Sequence, residues 1–332
     1  MPRRGCAAAF GIIEGTLSND VMISIYKSIP QGLKVLTDFE DDSWANVVNP
    51  TYEELDRIAQ AFKVPLEILT DPLDIDERAR CEADDNAFMI ILRIPVADTS
   101  AQRVTFFTVP LGILVSPTRI ATICRKENEV LTDFVDGKLR NFSTLNRARF
   151  ILQIFLRTAL LYLRNLKEIN TDASIIQEKL HKAMVNKHLL SLLNLQKSLV
   201  FFATSLRSDE LMIERLHKAP FFKLGDDEQD LYDDVVVEYR QAIEMASIYN
   251  NILTGTMDAF ASIISNNVND VMKFLTSITI IIAWPTFIAS LGGMNIHLPF
   301  HADTVWAFWG VIVFIVATTT LIIWAFLRRR WF

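Results

Sequence analysis

Two long apolar segments close to the C-terminus constrain this chain more than any other feature. They comprise residues 271–291 and residues 305–327. Each has about 20 residues, and a helix of that length crosses a hydrocarbon core of about 30 Å. The connection between them, residues 295–304, is too short to hold a domain. The sequence therefore predicts a hairpin of two transmembrane helices in contact with membrane lipid.

The charges around this hairpin predict its orientation. Lys273 lies at the start of the first segment and three arginines, residues 328–330, follow the second, whereas the connection contains no Lys or Arg. Positively charged residues are retained on the cytoplasmic side of a membrane. We therefore expect a multi-pass protein of the cell (inner) membrane with both termini in the cytoplasm.

The part of the chain before the hairpin is acidic, because the net charge is -6 although the C-terminal end is basic. An acidic surface argues against a nucleic-acid partner and suits the handling of cations. The cysteines, Cys6, Cys81 and Cys124, have no metal-ligand spacing, and we expect reduced thiols.

The sequence pattern of residues 22–126 predicts a cytoplasmic α/β domain. Short runs of β-branched and aromatic residues alternate there with helical pieces. A helix signal begins at Thr51, with Leu55, Ile58, Ala59 and Phe62 on one face. The acidic run of residues 71–85 is interpreted as a solvated connecting helix and loop. The expected strands are residues 22–26, 33–36, 44–48, 88–94, 103–109, 112–115 and 119–124.

Helical periodicity dominates from residue 127 onward. Long cytoplasmic helices are expected within 127–224, at 144–182 and 185–217. Residues 150–163 are apolar enough to resemble a membrane span, but Arg157 interrupts them. Each central Arg costs about 2.5–3.5 kcal/mol on insertion, so we expect a packed helix. After residue 228 no proline occurs before Pro285, which predicts one helix that is first a stalk and then crosses the membrane.

The remaining segments complete the predicted organisation of an α+β membrane protein. Residues 1–21 are interpreted as a disordered extension, although Arg3 and Arg4 before an apolar run also resemble a signal peptide. The segments that follow the cytoplasmic helices are the stalk helix 225–270, transmembrane helix 271–292, outer loop 293–304, transmembrane helix 305–327 and basic tail 328–332.

Small and polar residues recur at steps of three and four along the first transmembrane segment, which places them on one helical face. Such a stripe indicates either close helix packing or the lining of a pore. Met272 and Leu275, near the inner end, suit a constriction that closes by dewetting. The positions expected to line a pore are Asn269, Met272, Leu275, Thr276, Thr279, Ala283, Thr286 and Ser290.

The tripeptide Gly293-Met294-Asn295, after the first apolar segment, is the most specific motif of the chain. Together with the runs at 269–276 and 285–289, it resembles the signature of the CorA family of magnesium channels. Gly292 replaces the aromatic residue usual in that family, and Asp303 is the only acid of the outer loop. The resemblance implies a homopentamer, with pore-lining positions at Asn269, Met272, Thr286 and Asn295 and a selectivity filter at Gly293, Met294 and Asn295.

The resemblance also implies regulation by intracellular Mg²⁺. In CorA-type channels the ion bridges a stalk acid, here Asp258, to an acid at the end of a strand in the adjacent subunit, here Asp98. Asp234 resembles a further stalk acid of the same surface. From residue type alone, all three are also compatible with ordinary solvated carboxylates.

The chemistry of the membrane segment favours a channel. No Asp, Glu, Lys or Arg occurs from Phe274 to Leu298, whereas a proton-coupled carrier would be expected to have an ionisable group at membrane depth. Mg²⁺ sheds water reluctantly, so a ring of Asn295 amides could hold the hydrated ion. Gly292 and Gly293 would permit the backbone turn that directs Asn295 inward.

Enzyme functions are not favoured. The chain has no phosphate-binding glycine loop, nucleophile elbow or zinc-protease motif, and His297 and His301 lie in a short loop that contains Pro299. We expect no cofactor, with Mg²⁺ as substrate and regulatory ligand and possible passage of Co²⁺ or Ni²⁺. Two alternatives stay open, a transporter of zinc or another divalent cation on the same scaffold and a membrane-anchored structural or sensor protein that conducts nothing.

Overall fold

The structure is a computed structural model, and the chain divides in it into two compact units, Met1–Leu253 and Thr254–Phe332. The interpretation of residues 1–21 and the predictions for Asn295, His297 and His301 fall outside the residues that it describes. The described residues are 23–30, 32–84, 87–98, 105–139, 142–182, 186–294, 305–329 and 331.

The first unit contains one mixed sheet. Its strands are β1 (Ile23–Ile29), β2 (Gly32–Leu36), β3 (Ser43–Val48), β4 (Arg80–Ala83), β5 (Phe88–Asp98), β6 (Thr105–Val115) and β7 (Ile120–Cys124). The seven strands are arranged in the order β2-β1-β3-β7-β6-β5-β4. Strands β3 and β7 are parallel, and every other neighbouring pair is antiparallel.

The longer helices follow the sequence prediction closely, whereas two short helices, at residues 66–70 and 129–135, were not predicted. They are α1 (Tyr52–Phe62), α2 (Leu66–Thr70), α3 (Glu129–Val135), α4 (Arg147–Lys182), α5 (Asn186–His217), α6 (Asp226–Gly292) and α7 (Val305–Arg328). The apolar face predicted for α1 is confirmed as its set of buried residues, and Thr51 and Glu54 form a capping box at its start. Helix α6 is continuous through the predicted stalk and first transmembrane segment.

Each face of the sheet is covered by helices. On one face the side chains of α1 and α2 pack in a cluster with Ala45 and Val47 of β3. Trp44 lies on the opposite face, because successive residues of a strand alternate. It is fully buried, its ring centroid lies 5.2 Å from that of Phe150 in α4, and its Nε1 donates to Thr122 Oγ1 at 2.9 Å. The prediction that residues 150–163 form a packed helix is therefore confirmed.

Strand β6 corrects the prediction of two separate strands at 103–109 and 112–115. Pro110 pairs with Arg93 of β5 and lies one residue beyond the pairing with β7, which ends at Leu111 opposite Cys124, so its missing N–H costs no bond to β7. Gly112 is a position of close approach, because a Cβ there would lie 2.8 Å from Pro72 Cβ. Neither residue ends the strand.

Strand β4 was not predicted, and the interpretation of residues 71–85 as helix and loop is wrong over this part. Residues Asp71–Leu73 form a single 3₁₀ turn, and Arg80 then begins the edge strand. The Arg80 guanidinium pairs with Asp71 at 2.6 Å and with Glu82 at 3.0 Å, and it also contacts Glu77. Short charged edge strands lack the alternating apolar pattern that identifies strands in a sequence.

By length and composition, helix α5 could cross a membrane. It instead packs against the sheet and forms hydrogen bonds with it. Ser198 Oγ accepts from the backbone N–H of Phe106 at 3.1 Å, and the hydroxyls of Ser205 and Thr108 lie 2.9 Å apart. Asp209 Oδ1 accepts from the N–H of Arg93 at 2.9 Å. These contacts make α5 part of the packed α/β unit.

Asp209 is a fully buried carboxyl group. Only one of its oxygens has a hydrogen-bond partner in the described part of the chain. Burial raises the pKa of Asp209 well above its usual value, although the N–H and charge of Arg93 oppose this shift. The neighbouring hydroxyls of Tyr162 and Tyr239 are also buried, and burial raises the pKa of each well above its usual value.

We predict that Asp209→Asn makes the protein more stable at pH 8 and changes little at pH 3.5. The folded-state pKa of Asp209 is raised, so its contribution to stability is complete below the ordinary pKa of 3.8 and is lost as the pH rises from there through the raised pKa. Asparagine keeps the acceptor for Arg93 without a charge. We expect the melting temperature at pH 8 to rise by about 2–4 °C, the effect of about 1 kcal/mol in a domain of this size. Thermal unfolding in detergent at both pH values measures this, and equal pH dependence in variant and parent would contradict it.

Candidate functional site

The second unit contains the C-terminal part of α6 and all of α7. Both helices are long and apolar enough to cross a membrane, and almost none of their apolar windows is buried within the chain. Such surfaces fit lipid or further copies of the same helices. The two predicted transmembrane segments are thus helical over their described residues.

One side of α6 is turned toward α7. Ser277 is fully buried, with 0% of its surface exposed, and its hydroxyl donates to the Lys273 carbonyl at 2.7 Å. Trp284 Nε1 donates to Thr318 Oγ1 of α7 at 3.0 Å. The other residues of this segment that are not exposed lie at helical spacing from Ser277, namely Ile278, Ile281, Pro285 and Ile288.

The predicted polar stripe lies on the opposite side of α6. All eight positions expected to line a pore are exposed in the single chain, and Met272 is 54% exposed. At about 100° per residue, Thr286 and Ser290 fall roughly 180° and 220° around the helix from Ser277. The structure therefore separates the stripe from the surface used for packing within the hairpin.

The stripe hydroxyls are partly satisfied by their own helix. Thr279 Oγ1 donates to the Leu275 carbonyl at 2.8 Å, and Thr286 Oγ1 donates to the Ile282 carbonyl at 2.9 Å. Each donor is thus used, while the hydroxyl oxygen retains its capacity to accept a hydrogen bond. A face of this kind offers oxygen atoms to water or to a hydrated cation without carrying charge.

An ion pair lies at the inner end of the stripe. Lys273 Nζ pairs with Asp270 Oδ1 at 3.0 Å on the exposed surface of α6. Met272, between the two charged residues, and Leu275, two residues after Lys273, are exposed apolar side chains. The part of the segment without charged side chains therefore begins directly after Lys273.

At its outer end, α6 terminates in a tight turn. The N–H of Gly293 donates to the carbonyls of Ala289 and Ser290, each at 3.1 Å, and the N–H of Met294 donates to Leu291 at 3.4 Å. Among the described residues, glycines with positive φ occur only at 32 and 137, so this turn does not use the left-handed conformation. A Cβ at Gly292 would meet nothing within 4 Å. The expected need for glycine at 292–293 is not visible within one chain.

The three proposed regulatory acids lie on two elements. Asp98 is half-buried at the end of β5, where it pairs with Thr105 of β6, and Asp234 and Asp258 are exposed on α6. Within the described ranges, no three His, Cys, Asp or Glu residues are placed to hold a metal ion together.

Sequence reasoning missed the contact between Trp284 and Thr318. An indole N–H at membrane depth needs an acceptor because no water is available there, and this requirement was the signal that could have identified the pair. Pro285, beside it, leaves the Ile281 carbonyl without its helical N–H donor. Both features lie on or next to the side of α6 that faces α7.

Comparisons with known proteins agree on one family. The family model for "CorA-like Mg2+ transporter protein" matches residues 40–329. The chain is 25% identical to the cobalt/magnesium transport protein CorA of Methanocaldococcus jannaschii over 87% of this chain and 90% of that protein. It is 23% identical to the protein of that name from Thermotoga maritima, over 88% of this chain and 85% of that protein.

The fold is also similar to a solved structure over most of its length. The complete structure of the CorA magnesium transporter from Methanocaldococcus jannaschii superposes with a TM-score of 0.80 at 23% identity, over 94% of this chain and 99% of that one. The likeness therefore includes the sheet, the long helix and the C-terminal helix.

Proposed function

Because the chain belongs to the CorA family, we propose that it is a channel for Mg²⁺ uptake across the cell (inner) membrane. Members of the CorA family are transporters or channels, so the chain is not an enzyme. Relatives named as cobalt/magnesium transport proteins support divalent cation transport on this scaffold. Mg²⁺ is then the substrate, and Co²⁺ or Ni²⁺ could pass by the same route.

The observation that carries the proposal is the position of the polar stripe opposite the side of α6 that faces α7. One hairpin cannot enclose a pore, so several copies of α6 must surround an axis. With the stripes turned inward and α7 outward, the oxygen atoms of Thr279 and Thr286 line the axis, and the apolar surfaces meet lipid. The family resemblance supports a ring of five subunits.

Selection is assigned to Asn295, after the turn at Gly293 and Met294. Amide oxygens arranged in a ring hold a hydrated Mg²⁺ through its waters, strongly enough to select it and weakly enough to release it. No ionisable group of the membrane segment is needed, because an inward-negative potential contributes about 4.6 kcal/mol per divalent ion at 100 mV. Lys273 and the arginines after α7 retain both termini in the cytoplasm.

Ion flux into liposomes that contain the purified protein tests this function. We expect influx of Mg²⁺ that increases with an inward-negative potential and does not need a proton gradient. A preference for Zn²⁺, or dependence on protons, would favour the alternative of a zinc transporter. Flux no greater than in protein-free liposomes would favour a structural or sensor protein.

Regulation is assigned to Asp98, Asp234 and Asp258. Carboxylates that face one another across subunits repel when Mg²⁺ is scarce, and a bound ion removes this repulsion and favours the closed ring. The half-buried position of Asp98 and the exposure of Asp234 and Asp258 on α6 are compatible with such contacts. The channel would then close once the cell is replete.

We predict that Asp98→Lys combined with Asp258→Lys abolishes the Mg²⁺ dependence of protease sensitivity and holds the pore shut. The lysines supply the positive charge that the ion would otherwise provide. Limited proteolysis with and without Mg²⁺, together with liposome flux, measures both effects. Asp56→Lys with Asp172→Lys provides a control for charge reversal at one exposed and one half-buried position. Parent-like Mg²⁺ dependence in the first double variant would place the sensor elsewhere.

A further inference from the structure

A cavity of about 360 Å³ lies in the first unit, beside the end of β5, and none of its described lining residues is assigned to the pore. Its volume falls in the range of small-molecule sites. Residues 95–97 of β5 form one wall, and Phe106 of β6 and Leu161 of α4 supply further apolar surface. The rim is formed by the start of α3 and by α4.

The rim is negatively charged. The carboxylates of Glu127, Glu129 and Glu168 and a single cation, Arg164, line the cavity. Arg164 already pairs with Glu129 at 2.6 Å. Glu127 and Glu168 are exposed and form no ion pair within the described part of the chain. The nearby Lys126 lies over the Phe107 ring, 4.6 Å from its centroid, and does not line the cavity.

A buried amide lines the same cavity. Asn165 is only 3% exposed, and its side chain makes no hydrogen bond with any residue that the structure describes. Buried polar side chains nearly always have a partner, so this amide is available to a bound molecule. The Asn165 side chain is an observation separate from the acidic rim, because it is buried whereas Glu127 and Glu168 are exposed.

These groups define the chemistry of a ligand. No three acidic, histidine or cysteine side chains of the described ranges are placed to coordinate a metal directly. An alkylammonium ion instead carries N–H donors for carboxylates and for the amide oxygen, and its methylene groups suit the apolar walls.

We propose that this cavity binds a small alkylammonium ion of the diamine or polyamine class. Its ammonium groups lie at Glu127 and Glu168, the Asn165 Oδ1 accepts a hydrogen bond, and the methylene chain lies against Phe106 and Leu161. This site is separate from ion conduction and does not depend on the proposed channel function.

Calorimetric titration of the full-length protein in detergent with butane-1,4-diamine tests the site, at a constant Mg²⁺ concentration. We expect saturable binding that weakens as salt is added, and no binding of the uncharged butane-1,4-diol. Glu127→Gln with Glu168→Gln should weaken binding by about tenfold or more, because both charges are lost. The matched control, Glu53→Gln with Glu67→Gln on exposed helix positions, should bind as the parent does.

The amide is tested by a second pair of variants. Asn165→Leu should abolish binding, and Asn165→Asp should tighten it by adding a carboxylate at the same place. Absence of saturable diamine binding to the parent, or equal affinity in the cavity variants and their controls, would overturn the proposal. Displacement of the diamine by Mg²⁺ at low concentration would overturn it in favour of a hydrated divalent ion.

Discussion

Asn295→Ala is expected to reduce Mg²⁺ influx to the level of protein-free liposomes while the oligomer remains folded. The substitution removes an amide oxygen from every subunit of the ring, so a hydrated ion loses the acceptors that hold its waters at the outer mouth. The helix that precedes this position ends in a turn formed by backbone bonds of residues 289–294, which the substitution leaves in place. Flux with a fluorescent Mg²⁺ indicator measures the loss.

A variant of the same loop serves as the control. His297→Ala removes a polar side chain two residues away and should retain flux close to that of the parent. Size-exclusion chromatography with light scattering should give the same mass for both variants and the parent. Near-parental flux in the Asn295 variant would exclude Asn295 as the selective group, whatever the behaviour of the control.

Ser290→Leu is expected to reduce conductance by roughly tenfold or more, because each subunit would add a branched apolar side chain to the pore axis. Ser290 lies on the exposed stripe, on the opposite side of α6 from Ser277. In a ring of subunits the added bulk is repeated once per subunit around the axis. Electrical recording from planar bilayers, with the purified protein and its variant, measures the change.

Ala289→Leu is the matched control, since it adds a leucine at the adjacent residue. Ala289 is also exposed but lies about 100° around the helix from Ser290, outside the stripe. We expect it to conduct as the parent does. Equal reductions in both variants would show that the stripe packs against other helices and does not line a pore.

The sequence alone was sufficient where the determining interactions are local. The face of α1 followed from a repeat of 3.6 residues and from the capping box of Thr51 and Glu54, all within one helix. The two membrane segments followed from unbroken apolar length, and the packed nature of α4 followed from Arg157 within its apolar run. The family was also recognisable from short motifs at 269–276 and 293–295.

Only the tertiary structure decided the features that depend on distant parts of the chain. Strand β6 continues through Pro110 because β7 ends opposite Leu111, and Gly112 is needed because Pro72 approaches it. Asp209 is buried where α5 packs on the sheet, and its carboxyl group accepts from the N–H of Arg93 there. The indole of Trp284 donates to Thr318 because α6 and α7 pack together as a hairpin. Likewise, only the position of α7 showed that the predicted stripe lies on the opposite, exposed side of α6. These outcomes depend on which surfaces meet in space, and the periodicity of a single segment does not contain that information.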